Sequence, residues 1–233
     1  MSALRVLVIV PAHNEEESLP ATLAELRQRS PGLDVLVVDD GSRDRTAQVA
    51  REHNVPVVSH AVNLGVGGAL QTGFCWALRH GYDVGVQLDA DGQHDPGCLQ
   101  ALLEPVLQGA CDVSIGSRYV ARSGYRAPLA RRLGMMLFSS VVRLTVGQRI
   151  TDTTSGFRAY DRKVMEICQH DFPKDFPDAP LLIDLARRGF RLAEVPVEMR
   201  TREAGRSFYT LSKSLYYPYK NMLASLMVLL KRP

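Results

Sequence analysis

The sequence has few of the residues that mark several common classes of protein. Its four cysteines, Cys75, Cys98, Cys111 and Cys168, are widely spaced and form no C-x-x-C pair. This spacing argues against a zinc knuckle or a dithiol redox motif, and it is typical of small core residues in a reducing cytosol. No Walker A sequence occurs, and the glycine-rich segment 63–69 fails the G-x-G-x-x-G spacing because Leu70 follows it. A hydride-transfer enzyme is therefore not expected.

The sequence also has no hydrophobic run long enough to cross a bilayer, for which a helix needs about 20 apolar residues. The N-terminal run, residues 4–10, has no basic segment before it and no small-residue cleavage site after it. It is predicted to be a buried strand and not a signal peptide. The C-terminal run, residues 222–230, is broken by Ser225. It could pack on the core, lie on a membrane surface or dock a partner.

Charge is unevenly distributed along the chain, although the net charge is only +3. Residues 1–112 contain 7 basic and 15 acidic side chains, whereas residues 113–206 contain 17 basic and 10 acidic ones. Such asymmetry suggests an anionic partner for the second half. From charge alone, this partner could be a nucleic acid, an anionic membrane or a substrate that carries phosphate.

Short apolar runs alternate with helical patterns through the first half of the chain. Strands are predicted at residues 4–10, 35–38, 55–59, 84–88 and 113–116. Strand–helix alternation of this kind predicts an α/β fold with a mainly parallel central sheet and flanking helices. The second half is less regular: an amphipathic stretch at 129–144, a helix at 181–188, a strand at 192–197 and a final helix at 215–230 are predicted.

Three polar clusters follow predicted strands, at residues 11–15, 39–42 and 89–94. Ligands bind at the carboxyl ends of the strands in open parallel sheets, so these clusters are expected to outline one site. Asp89 and Asp91 are separated by a single residue, and two such close carboxylates repel each other unless a cation lies between them. Hard oxygen ligands favour Mg²⁺ or Mn²⁺, while His94 alone is a poor basis for zinc.

Six segments together resemble the family 2 glycosyltransferases of GT-A fold, a Rossmann-like nucleotide-binding fold. Within that family the chain is most similar to the dolichol-phosphate mannosyltransferase-like, or polyprenyl-phosphate glycosyltransferase, branch. The matching segments span most of the chain: 8–16, 37–46, 88–96, 116–118, 154–158 and 202–207. The resemblance implies a GT-A catalytic domain over residues 1–208, followed by an amphipathic C-terminal helix over residues 209–233.

The resemblance also implies roles for individual residues. Those expected to bind the nucleotide-sugar donor are Pro11, Ala12, Asn14, Glu15, Asp39, Asp40, Asn63, Asp89, Ala90, Arg131 and Ser207. Asp89, Asp91 and Gln93 would hold Mg²⁺ or Mn²⁺ on the donor's diphosphate. The residues expected to be catalytic are Asp91, Arg118, Arg202 and Asp178. Arg118, Arg131 and Arg202 would surround the phosphates of donor and acceptor, because planar guanidinium groups match phosphate oxygens well.

The implied reaction is an inverting transfer of a hexose, mannose or glucose, from a GDP- or UDP-sugar to a polyprenyl or dolichyl phosphate. If the acceptor is instead a saccharide or protein hydroxyl, Asp178 is the expected base. A third possibility is a non-catalytic scaffold that binds nucleotide-sugars, against which the intact Asp89, Asp91 and Gln93 argue. The expected location is the cytoplasmic face of a membrane, held peripherally by the membrane surface or a small membrane protein, with no nucleic-acid partner.

Overall fold

The computed structural model describes residues 4–120, 150–173, 178–200, 223–225 and 227–228. The strands are β1 (Val6–Ala12), β2 (Asp34–Asp39), β3 (Val57–Ser59), β4 (Val84–Gln87), β5 (Val113–Ser117), β6 (Arg158–Asp161) and β7 (Leu192–Pro196). The helices are α1 (Leu19–Arg29), α2 (Thr46–Glu52), α3 (Gly65–Arg79), α4 (Leu99–Leu107), α5 (Arg162–Cys168) and α6 (Ala179–Arg187). A short 3₁₀ helix, Pro96–Cys98, precedes α4.

The seven strands form one sheet in the order β3-β2-β1-β4-β6-β5-β7. Six of them run in the same direction, and β6 lies antiparallel between β4 and β5. This arrangement confirms the predicted α/β class and the mainly parallel sheet. Because β6 runs the other way, its first residue lies at the edge where the parallel strands end. The segment before β6 therefore reaches the same edge as the polar clusters.

Two apolar layers cover the two faces of the sheet. Alternate residues of β1 point to opposite faces, so that Leu7 and Ile9 belong to one layer while Val8 and Val10 belong to the other. Helices α3, α5 and α6 pack on the first face, and α1, α2 and α4 pack on the second. Such double coverage explains why the predicted strands are continuous apolar runs.

The C-terminal residues that the structure describes are helical. Ser225 is buried and Val228 packs against the core layer of α3 and α6, whereas Leu223 and Met227 are exposed. Among the described residues, no helix combines the length and the apolar character needed to cross a membrane. The predicted amphipathic stretch 129–144 and most of the predicted helix 215–230 lie outside the described residues. The division at residue 208 stays a prediction.

Candidate active site

Hydrogen bonds join the loops that follow β1 and β2. The Asn14 N–H donates to Ser42 Oγ at 3.0 Å, and Asn14 Oδ1 accepts the Arg43 N–H at 2.9 Å. The Glu15 N–H donates to Thr46 Oγ1 at 2.8 Å. Asn14 has a φ of 55°, a left-handed conformation that asparagine tolerates better than most residues. Two of the three predicted clusters therefore form a single rim of fixed geometry.

Asp39 and Asp40 are both buried at the end of β2, but their carboxylates have different surroundings. The two oxygens of Asp40 accept the N–H groups of Leu64 and Gly65, each at 2.8 Å. These donors lie at the start of α3, where the positive end of the helix dipole favours an anion. His60 Nδ1 lies 2.8 Å from the same carboxylate. Asp40 therefore caps α3.

Asp39 has one of its oxygens, Oδ1, engaged by the Ser42 N–H at 3.1 Å. Of the two carboxylates, it is therefore the better candidate to accept an N–H from a nucleotide base. The other predicted donor residues lie along the same edge. Pro11 and Ala12 are the last two residues of β1, and exposed Asn63 lies just before α3, where its Oδ1 accepts the Gly65 N–H at 3.1 Å.

Asp89 lies two residues beyond the end of β4, and its side chain is 37% exposed. Gln87 Nε2 donates to Asp89 Oδ1 at 3.3 Å. The Asp89 N–H donates to Nδ1 of buried His94 at 3.1 Å, and His94 Nε2 lies 3.7 Å from Asp89 Oδ2. The His94 ring stacks on Phe157. In the described part of the chain, no lysine or arginine forms an ion pair with Asp89.

The turn after Asp89 is also held by hydrogen bonds. Asp91 Oδ1 accepts the Gln93 N–H at 3.1 Å, and the carbonyl of buried Ala90 accepts the Thr22 hydroxyl at 3.1 Å. Gln93 O accepts the Arg200 N–H at 2.9 Å. The turn that carries both carboxylates is thereby fastened to α1 and to the segment after β7.

Asp89, Asp91 and Gln93 offer two carboxylates and one amide oxygen to a cation. This donor set fits Mg²⁺ or Mn²⁺, which take oxygen ligands and commonly complete their coordination with phosphate oxygens and water. Within the described ranges, no group of three or more His, Cys, Asp or Glu side chains is arranged to hold a metal by itself. A cation held here would therefore depend on its substrate for further ligands.

Gly156 lies directly against the Asp89 carboxylate. A Cβ atom at this position would lie 2.9 Å from Gln87 Nε2 and 3.1 Å from Asp89 Oδ2. Gly156 does not have a positive φ, so the position requires the lack of a side chain and not an unusual backbone conformation. The segment before β6 therefore forms one wall of the site.

Arg118, which is predicted to contact phosphate, forms a bidentate ion pair in the structure. Its Nε and Nη2 donate to Asp152 Oδ2 and Oδ1, both at 2.8 Å. Burial by itself would raise the pKa of Asp152, but the hydrogen bonds and charge of Arg118 outweigh this effect and lower it. Sequence reasoning missed Asp152, because a single acidic residue in a loop has no informative spacing. The phosphate role of Arg118 stays a prediction.

Asp178 lies immediately before α6 and is half-buried. Its charge reaches the buried Tyr160 hydroxyl, whose pKa is raised to about 12, chiefly by burial and in smaller part by Asp178. The role of Asp178 as a base stays a prediction. Arg131, Arg202 and Ser207, the remaining predicted site residues, lie outside the described residues.

The cysteines have the surroundings that the sequence predicts for core residues. Cys111 and Cys168 are buried, Cys75 and Cys98 are half-buried, and all four are free thiols. Burial raises the pKa of Cys111 to about 11 and that of Cys168 to about 12. Such thiols stay protonated near neutral pH and are poor nucleophiles.

The sheet order and the polar edge together define a GT-A fold, and comparison with solved structures confirms it. Glucosyl-3-phosphoglycerate synthase from Mycobacterium tuberculosis, in complex with phosphoglyceric acid, superimposes with a TM-score of 0.74 at 21% identity, over 97% of this chain and 80% of that one. The same enzyme with Mn²⁺, UDP and phosphoglyceric acid gives a TM-score of 0.73 at 20% identity, over 97% and 78% of the two chains. At these identities the likeness shows the fold alone.

The family follows from sequence comparison. Residues 7–167 match the profile of Glycosyl transferase family 2, so the chain belongs to that family of enzymes. It is 39% identical over 218 residues to the undecaprenyl-phosphate mannosyltransferase of Micrococcus luteus, covering 88% of this chain and 87% of that protein. It is 40% identical over 212 residues to the polyprenol monophosphomannose synthase of Mycolicibacterium smegmatis, covering 86% and 79%. The predicted resemblance to this branch is confirmed.

Proposed function

We propose that this enzyme transfers a hexose, mannose or glucose, from a GDP- or UDP-sugar to a polyprenyl phosphate. The observation that carries the transfer chemistry is the Asp89 carboxylate, which is partly exposed beside Asp91 at the end of β4 and forms no ion pair with a lysine or arginine of the described residues. The acceptor is supported by the two bacterial relatives, whose names specify polyprenyl-phosphate products or acceptors.

The proposed metal is Mg²⁺ or Mn²⁺, with Asp89, Asp91 and Gln93 as its protein ligands. When bound, such a cation supplies Lewis-acid stabilisation of the negative charge on the departing nucleoside diphosphate. Gln87 and His94 orient Asp89 from either side, as supporting residues commonly do for carboxylate ligands. On the nucleotide side, Asp39 accepts a base N–H while Asn14, Glu15 and Asp40 hold the rim in place.

The proposed displacement is a single inverting step at the anomeric carbon. The oxygen of a lipid monophosphate is already ionised near neutral pH, so the acceptor needs positioning more than it needs a general base. Arg131 and Arg202, together with Arg118, are the proposed phosphate contacts. With a phosphate acceptor, Asp178 has no proton to remove. With a hydroxyl acceptor it would act as the base, so the two reactions differ in whether they need Asp178.

The proposed place of action is the cytoplasmic face of a membrane, because a polyprenyl phosphate is held by its lipid chain. The exposed Leu223 and Met227 support a peripheral contact, since they lie on a helix whose Ser225 and Val228 face the core. That contact could be made with lipid or with a small membrane protein.

The proposal is tested by supplying radiolabelled GDP-mannose, UDP-glucose and related donors with Mn²⁺ and a polyprenyl phosphate in detergent. The matched control acceptor is the same polyprenol without its phosphate. We expect label in the lipid extract with the phosphate only, in a product whose anomeric configuration is inverted relative to the donor. Equal labelling of the free polyprenol, or of a saccharide in place of the lipid, would point to a hydroxyl acceptor and contradict the proposal.

A further inference from the structure

Residues 151–156 reach the metal-binding edge without placing a charged side chain on Asp89. A Cβ atom built on their last residue, Gly156, would lie 2.9 Å from Gln87 Nε2 and 3.1 Å from Asp89 Oδ2, so Gly156 packs closely against both side chains. The position of the Asp89 carboxylate is therefore sensitive to small shifts of this segment. Whatever fixes the segment also fixes one wall around the carboxylate.

The first fastening is the ion pair at the end of β5. Besides its two side-chain bonds to Asp152, Arg118 donates its backbone N–H to Asp152 Oδ2 at 3.1 Å. Its Nη2 also donates to Thr154 Oγ1 at 2.9 Å. Three of the five side-chain N–H donors of Arg118 are therefore used on Asp152 and Thr154. Asp152 is fully buried, so this pair cannot exchange freely with water.

The second fastening comes from β7. Glu194 Oε1 accepts the Asp152 N–H at 2.7 Å, and Oε2 accepts the Thr151 N–H at 2.8 Å. The Thr151 hydroxyl also donates to this carboxylate. Glu194 thus binds the backbone of Thr151 and Asp152, and the Asp152 side chain binds Arg118. The carbonyl of Thr153 is tied separately, by Nη2 of buried Arg158 at 3.0 Å.

We propose that Glu194, Asp152 and Arg118 form a latch that holds residues 151–156 against Asp89, which makes Asp152 and Glu194 positioning residues of the metal–diphosphate site. The inference rests on the proposed function, because the position of Asp89 matters to the reaction only if Asp89 holds the cation. The chain of contacts runs from β7 through β5 to the end of β4, across the antiparallel strand β6. Neither positioning residue needs to touch a substrate.

The test is the affinity for Mn²⁺ in the presence of GDP or UDP, whichever raises the melting temperature of the unaltered enzyme more, measured by calorimetric titration. Asp152→Asn replaces an accepting oxygen by an amide NH₂ that faces the Arg118 donors, so a hydrogen bond is lost. Glu194→Gln likewise places an amide NH₂ against the N–H groups of Thr151 and Asp152. We expect each variant to bind Mn²⁺ about 10- to 100-fold more weakly, as when supporting residues of other metal sites are changed. Binding of the nucleotide without metal should be unchanged.

Gly156→Ala tests the other end of the contact chain, because its methyl group would displace Asp89 or Gln87 while leaving the ion pair intact. We expect the same loss of Mn²⁺ affinity. Gly32→Ala is its control, since a Cβ at Gly32 meets nothing within 4 Å. Should Asp152→Asn fail to fold, Glu194→Gln and Gly156→Ala decide the question.

The control for the ion pair is Asp112→Asn. Arg191 donates its backbone N–H, Nε and Nη2 to Asp112 in the same pattern, but at the start of β5. This variant should lose some stability and keep the Mn²⁺ affinity of the unaltered enzyme. Unchanged Mn²⁺ affinity in both Asp152→Asn and Glu194→Gln would overturn the latch while leaving the proposed function standing. Absence of Mn²⁺-dependent nucleotide binding in the unaltered enzyme would overturn the proposed function and the latch with it.

Discussion

The two ends of β5 carry the same arrangement of arginine and aspartate in different surroundings. At its amino end, Arg191 is 55% exposed and Asp112 is 14% exposed; at its carboxyl end, the corresponding values are 16% for Arg118 and 0% for Asp152. The first pair joins two strands at the edge of the sheet away from the site. The second pair, with the same bonds, is buried, and its Asp152 belongs to the segment 151–156 that lies against Asp89. Location and burial, and not the bonding pattern, separate a structural pair from one with a role at the site.

The two ends of β4 show the same contrast for single carboxylates. Asp83, just before the strand, accepts the Arg5 N–H at 2.9 Å. Asp89, beyond the other end, is partly exposed and approached by the side chains of Gln87 and His94. A carboxylate with a structural partner tells us little about function. A partly exposed carboxylate that is held in place without a lysine or arginine partner, in the part of the chain that the structure describes, supports a site for a cation.

The largest expected effect is on the rate of sugar transfer, when the aspartates that flank β4 are replaced. Asp89→Ala should lower the rate of sugar transfer about 100- to 1,000-fold or more, because charge on the departing diphosphate loses its stabilisation. Asp83→Ala, the matched control, should keep the rate of the unaltered enzyme. The measurement is product formation at saturating donor and Mn²⁺. If Asp89→Ala were as fast as the Asp83→Ala control, the two ends of β4 would not differ in their importance for sugar transfer.

A smaller effect is expected on stability at the two ends of β5. Asp152→Ala should lower the free energy of unfolding by about 3–5 kcal/mol, because it leaves the guanidinium of Arg118 largely buried without its partner. Asp112→Ala should cost clearly less, since the solvent-exposed Arg191 can be hydrated in its place. Urea denaturation of both variants measures the difference. Equal losses would mean that burial does not distinguish the two pairs.

The two arginine–aspartate pairs of β5 also predict how the free energy of unfolding depends on pH. The pKa of Asp112 is lowered by hydrogen bonds from Arg191, and that of Asp152 is lowered by Arg118 despite its burial. Both carboxylates therefore stabilise the fold fully above the unfolded-state pKa of about 3.9, and this stabilisation is lost as pH falls through their lower folded-state values. Asp152→Asn should have a shallower decline in unfolding free energy below about pH 4 than the unaltered enzyme. An identical decline would show that Asp152 does not titrate in this way.

Much of the fold could be predicted from the sequence, because buried parallel strands are continuous apolar runs. Strand β6 was missed for a physical reason. It contains Arg158, a fully buried arginine, and Tyr160, so it does not have an apolar pattern. Its antiparallel direction depends on pairing with β4 and β5, which are distant in sequence. The position of Gly156 at the site follows from that pairing and was equally hidden.

The candidate site was predictable where it depends on strand ends. Asp39, Asp40 and Asp89 lie at one edge because parallel strands place their carboxyl ends together. Sequence could not show that Asp40 caps α3, or that Arg118 forms an ion pair with Asp152, because both partners come from other parts of the chain. Glu194 was missed for the same reason, since its bonds are to backbone N–H groups 42 and 43 residues away.

We propose, above all, that the carboxylates at the end of β4 hold a divalent cation against a nucleoside diphosphate. The most direct test is anomalous diffraction, near the manganese absorption edge, from crystals grown with Mn²⁺ and GDP or UDP. We predict one manganese peak within direct coordination distance, roughly 2 Å, of carboxylate oxygens of Asp89 and Asp91 and of the diphosphate. A bound nucleotide with no manganese at these carboxylates would contradict the account.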